Sequence, residues 1–404
     1  MTTVLPPAPS QPELAQRASR WPAVVVFVLA SIYPTTVMIN VFIDCFSNFP
    51  LLAAISAVCW ILYAIPFIIL LRMIDFFERE PWSAIALAIF WGAIVACGMS
   101  IVGNQHITEL VVVNNGTAFS NEWSSAIGGP TEELTKGAGI LLVLMLSPRR
   151  PRTALDGFII GAIVGLSFQI VENFIYTVNN AQNYDSSSLY PLLLTFFSRG
   201  VIGGLFSHAV YSGIVGLGLG YLVSATHRTW PRRIGAAVLG LVVAWGMHLL
   251  WNTPDFFGGQ WGQLLSMAVK GLPILVLLFF PLRAARRRDS AFFIPYLLHV
   301  DDSLVTNGEA LALTSLRARR RAVELYTDSR GRHHRRQIRR IQRAQADLAV
   351  ALSARNWEKA DDAVGRIRSL RPIQGIPVSI PTDLPRPQEL IDHPVVPTEP
   401  PREV

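Results

Sequence analysis

Glu132, Glu133, Lys136, Glu172, His208, His248 and Asn252 stand in stretches otherwise apolar enough to enter a lipid bilayer. An ionisable side chain costs about 2.5–3.5 kcal/mol at the centre of a spanning helix, so a set of them asks for a functional reason. Carboxylates and imidazoles together can take a proton from water, bind Zn²⁺ or polarise a carbonyl. That is the equipment of a hydrolytic site in a hydrated cavity. Spacing alone supports no more than a polar cavity, because no ordered signature such as His-Glu-x-x-His is present.

The local spacing groups these residues. Gly128, Gly129 and Pro130 interrupt an apolar run just before Glu132, and proline suits the first turn of a helix. A helix restarting there places Glu132 and Glu133 where free N–H groups and the macrodipole favour a carboxylate. Glu132 and Lys136 then share a face, with Glu133 turned away from it. Phe168 and Glu172 are four apart with Asn173 beside the acid, and His248 and Asn252 are also four apart. His208 stands alone in a glycine-rich run, "SHAVYSGIVGLGLGY".

The elements that must carry these residues are membrane spans. The chain is 51% hydrophobic and only 16% charged over 404 residues, a composition that favours a polytopic membrane protein over a large soluble enzyme. Eight spans are expected, at about 22–45, 49–71, 82–103, 126–146, 154–178, 199–225, 233–252 and 262–282, each near the roughly 20 residues that cross the hydrocarbon. The fold class is therefore all-α, a bundle of about eight transmembrane helices with a small helical cytoplasmic C-terminal region. Loops holding Arg72 and Arg79, Arg149 to Arg152, Arg228 to Arg233 and Arg283 to Arg288 alternate with loops that lack Lys and Arg. The positive-inside rule then puts both termini in the cytoplasm and all the ionisable groups in the outer third of a cell membrane.

Four regions follow: a disordered cytoplasmic N-terminus at 1–20, a membrane domain at 21–284, a basic helical region at 285–371 and a Pro-rich tail at 372–404. Most of the formal charge of +7 lies in the last two. The basic region is expected to lie on anionic lipid or to bind a cytoplasmic partner; no recognisable motif points to nucleic acid. Cys45, Cys59 and Cys97 lack any paired spacing and are expected to pack as small hydrophobes.

Four segments, "EELTK", "FQIVEN", "FSHAVYSGIVGLGLG" and "HLLWN", occur in an order and spacing that resemble the PrsW-type intramembrane proteases, and more widely the superfamily that includes type II CAAX prenyl endopeptidases. The resemblance covers about residues 20–285. It implies a polytopic peptidase, commonly described as a metalloprotease, acting on a membrane-bound protein substrate of the anti-sigma-factor kind near the extracytoplasmic face. Asn252 departs from the acidic residue that often closes the last PrsW motif and resembles the CAAX group instead. The expected catalytic set is Glu132, Glu133, Glu172, His208, His248 and Asn252. In a metal version His208, His248 and Glu172 hold Zn²⁺ while Glu132 is general base. In a metal-free version Glu132 and His208 activate water, and His248 with Asn252 stabilises the oxyanion. Two other classes fit buried acids and histidines: a proton-coupled transporter, whose sites usually lie nearer the midplane, and an inactive membrane scaffold. Arg199 reads as an interfacial anchor and Lys270 as structural.

Overall fold

The computed structural model describes residues 20–120, 123, 128–149, 151–184, 188–204, 207–327 and 332–371. The expected N-terminal disorder and Pro-rich tail lie outside the described residues. Among these residues there are helices and no strands. Two compact units are formed, one from residues up to Leu71 together with Glu80–Pro281, the other from Arg72–Arg79 together with the chain from Leu282 onward.

The first unit contains α1 (Trp21–Asn48), α2 (Pro50–Ile74, its last turn in the second unit), α3 (Trp82–Asn115), α4 (Gly129–Leu146), α5 (Ala154–Ala181), α6 (Tyr190–Ile202), α7 (His208–Ser224), α8 (Trp230–Asn252) and the first part of α9 (Gly259–Leu297). Six of these, α1, α2, α3, α5, α8 and most of α9, are long and apolar enough to cross a membrane. The protein is thus a multi-pass membrane protein. Helix α4 has 18 residues, three of them ionisable near its start, and α6 and α7 are shorter apolar helices.

Burial ranks the helices. The apolar window of α5 is 78% buried, against 17% in α1 and in α2. Helix α5 is therefore the central post, and α1 and α2 expose Leu29, Ile32, Ile61 and Leu62 in the manner of a lipid-facing surface. Glycines keep the post narrow. A Cβ at Gly157 would lie 2.1 Å from the Gly216 carbonyl oxygen, at Gly161 2.1 Å from that of Ser212, and at Gly165 2.1 Å from that of His208. Small residues one turn apart let α5 and α7 approach backbone to backbone. Gly165→Ala should accordingly push the His208 backbone away, lowering stability by about 1–3 kcal/mol. Thermal unfolding in detergent would register that loss.

Three boundaries differ from expectation, the simplest being α9, which runs past the expected end at 282 to Leu297. Helix α3 runs on through Asn104 to Asn115 and stops at Gly116, whose φ of +85 lies in the region that favours glycine. Polar "GNQH" did not end it because nothing there forbids helical backbone. The sixth expected span, 199–225, is not one helix. A π-helical turn, Phe196–Ile202, ends α6, and α7 begins at His208. Paired glycines at 203 and 204 loosen the chain, so His208 sits in a first helical turn rather than nine residues inside a span. A second π-helical turn, Trp91–Ala96, lies within α3. There Trp91 fills the space a side chain at Gly139 would need and donates from Nε1 to Thr135 O at 2.9 Å.

The second unit adds the end of α9, then α10 (Asn307–Ala312), α11 (Leu316–Thr327), α12 (Arg332–Ser353) and α13 (Trp357–Leu370). Its core gathers Phe77, Phe293, Leu297, Leu348, Ala363 and Ile367, with Phe77 stacked on Phe293 at 5.1 Å. The Arg319 guanidinium lies 3.6 Å over the Phe76 ring. Burial, reinforced by Arg286, pushes its pKa down to about 10.

Candidate functional site

Glu132 enters at the start of α4. Gly128 precedes the helix, proline occupies its first turn, and Glu132 lies in that same turn. Asn104 of α3 donates from Nδ2 to Glu132 Oε1 at 3.1 Å and accepts a hydrogen bond from Thr131 Oγ1. Glu132 Oε2 is buried with no hydrogen-bond partner. Around that atom stand His208 Nδ1 at 3.7 Å, His248 Nε2 at 3.8 Å and Lys136 Nζ at 3.5 Å.

Glu133, one residue on, faces the same centre from within the protein. It is fully buried and its Oε1 accepts from Lys136 Nζ at 2.7 Å and pairs with His248 Nδ1 at 3.0 Å. A carboxylate accepts only, so His248 carries its proton on Nδ1 and leaves Nε2 bare toward Glu132. Tyr211 stacks on the His248 ring at 5.1 Å and fixes its plane. Lys136 also reaches His208 Nδ1 at 3.0 Å and lies 4.4 Å over the Phe168 ring. An ammonium can only donate, so His208 accepts at Nδ1 and donates from Nε2 to Glu172 Oε2 at 3.0 Å.

Glu172, expected as a metal ligand, thus stands behind His208. It is clamped by Arg199, which bonds its Oε2, donates from Nε to Asn173 Oδ1 at 2.8 Å and lies 3.9 Å over the Tyr176 ring. The anchoring expected of Arg199 is overturned: α6 turns its guanidinium inward onto two residues of α5. Asn252 lies one turn beyond His248 and lines a cavity of about 400 Å³ together with Glu132, Glu172, His208 and His248. Lys270 caps a bend, donating to Thr253 O at 2.5 Å. The expected residues from α4, α5, α7 and α8 therefore converge around one cavity.

Sequence reasoning passed over Asn104 and Gln169 and noted Asn173 only as the neighbour of Glu172. Asn104 had a signal, a polar residue just past an expected span end. Arg199 had a stronger one, since it was the lone arginine near the expected outer ends of the spans.

One ligand atom from each of Glu132, His208 and His248 lies within 4.8 Å of the others, a buried group that could hold a metal ion. A helical membrane bundle that closes a carboxylate and two imidazoles around a cavity has the parts of a hydrolase embedded in the bilayer. The family model described as PrsW family intramembrane metalloprotease matches residues 80–285, just over half the chain, and the chain belongs to that family. It is a peptidase of the membrane. No curated protein and no solved structure matches the chain.

Proposed function

We propose that the protein hydrolyses a peptide bond of a membrane-bound protein, near the extracytoplasmic face of a cell membrane, with Glu132 receiving the proton of the attacking water. One observation carries this: Glu132 Oε2 is a buried carboxylate oxygen with no hydrogen-bond partner, facing two imidazoles across a cavity. Asn104 holds the other oxygen of the same carboxylate and so aims it. Glu132 takes the proton as water attacks and returns it to the leaving amine. Glu133 fixes the His248 tautomer, Glu172 with Lys136 fixes that of His208, and Asn252 supplies an amide donor for the developing oxyanion. A transporter reading is less well supported, because the acids and histidines pair with each other around one cavity rather than forming a path across the membrane.

The family's name favours a second chemistry at the same residues. Zinc fits the donor set, and Glu132, His208 and His248 would hold it. When bound it would lower the pKa of its water and polarise the scissile carbonyl. Against that fit stands Lys136, whose ammonium would have to release His208 Nδ1.

The outward location rests on charge. The ends of α4 and α8 remote from the site carry Arg149, Arg152, Arg232 and Arg233, which positive-inside bias keeps cytoplasmic. An anti-sigma-factor-like substrate is what the family suggests. The test is cleavage of a single-span peptide by the full-length protein in lipid vesicles, with products mapped by mass spectrometry. Cutting in the outer third is expected, and flux of ions without cutting would overturn the proposal. Treatment with 1,10-phenanthroline should leave the rate within about twofold for the metal-free chemistry. Abolition reversed by added zinc selects the metal chemistry instead.

A further inference from the structure

The cavity wall formed by α5 holds a feature that the water-activating set does not use. Gln169 and Asn173 both line the cavity and are 2% and 1% exposed. Each is tethered at one end of its amide. Asn173 Oδ1 accepts from Arg199 Nε at 2.8 Å, and because a guanidinium cannot accept, the amide can be turned only one way. Its Nδ2 is then a buried donor with no partner. Ser207 Oγ donates to Gln169 Oε1 at 2.6 Å, and Gln169 Nε2 is likewise buried without a partner. Buried polar groups are almost always paired, so two unpaired amides on one cavity wall call for a ligand.

Their spacing identifies its chemistry. Residues four apart on a helix lie about 6 Å apart along its axis. In an extended chain, alternate carbonyls pointing the same way repeat every two residues, about 6.6 Å. A helical substrate could not meet both donors, since its carbonyls are spent on its own backbone. An unwound one could.

Resting on the peptidase reading, we propose that Gln169 and Asn173 form a main-chain clamp. Their side-chain NH₂ groups donate to the carbonyls of two alternate residues of a substrate segment lying extended in the cavity. Arg199 sets the clamp by holding Asn173, while also holding Glu172 behind His208. Selectivity at this site is then for backbone that can leave the helix, with little regard to side-chain identity.

An ester scan tests it with the full-length protein in nanodiscs. The probe is a synthetic single-span peptide that the wild-type protein cleaves, remade with one backbone amide at a time replaced by an ester, whose carbonyl is a weaker acceptor. Wild type should show KM raised about tenfold at two positions separated by one residue. Asn173→Asp keeps the acceptor for Arg199 and removes the donor; Gln169→Met removes the other donor. Each should raise KM for the all-amide peptide about tenfold with kcat changed less than threefold, and each should abolish sensitivity to one of the two esters. A wild-type scan without the alternate pair overturns the clamp even if neither variant folds, and so does an unchanged ester profile in both variants. Cleavage that survives Glu132→Gln would instead overturn the peptidase reading, whatever the scan gives.

Discussion

Glu132→Gln is expected to lower kcat/KM by about 10³-fold or more while leaving the bundle folded, the range that removal of a general base commands. The substitution preserves shape. The amide oxygen it introduces can still accept from Asn104 Nδ2, and Lys136 keeps its shorter contact, 2.7 Å to Glu133 against 3.5 Å to Glu132. What disappears is a carboxylate oxygen between His208 and His248 able to take a proton or a cation. Both chemistries need that atom, so the expected loss does not depend on whether zinc is bound. Glu133→Gln should be milder, since an amide oxygen can still accept from His248 Nδ1. The measurement is peptide cleavage at saturating and limiting substrate, with thermal unfolding as the fold control. A folded Glu132→Gln protein that keeps a tenth of wild-type activity would remove Glu132 from the chemistry.

The ordering of those two glutamates was not legible in the sequence, and the reason is geometric. Spacing of four placed Glu132 and Lys136 on one face and turned Glu133 away, as though toward a lesser role. Yet Glu133 is the more tightly held of the two, because α8 approaches from the side to which it turns and brings His248 Nδ1 to 3.0 Å. Helical periodicity fixes directions about one axis and is silent on which neighbour waits in each. Span existence, by contrast, follows from composition alone, and so the membrane bundle was readable from apolar runs. The convergence of α4, α5, α7 and α8 was readable too, through the shared depth of their polar residues. The break before His208 was not. Glycines at 203 and 204 permit either a continuous helix or a bend, and the choice is made by tertiary packing: Gly165 brings the His208 carbonyl against α5, where a side chain would exclude it. The recruitment of Arg72–Arg79 into the second unit was equally hidden, since a short charged loop reads the same whether solvated or packed on Phe293.

Lys136→Met should destabilise the protein more than any other single change at the site, by about 3–5 kcal/mol, because it leaves an uncompensated charge in the interior. Methionine is near lysine in length and would still lie against the Phe168 ring. The loss is therefore electrostatic rather than a cavity effect. Lys136 is wholly buried and is the cation common to Glu133, Glu132 and His208. Without it Glu133 keeps only His248, and two carboxylates face each other with no fixed positive group between them. Adding Glu133→Gln should recover most of the stability, since the double variant buries neither member of the shorter pair as a charge. Activity should stay low in both, because His208 loses the donor that fixes its tautomer. Unfolding midpoints of the two single variants and the double variant in one detergent close the cycle. A Lys136→Met protein as stable as wild type would mean that the buried ammonium is not what holds the acids together, and the arrangement of both histidines would need another cause.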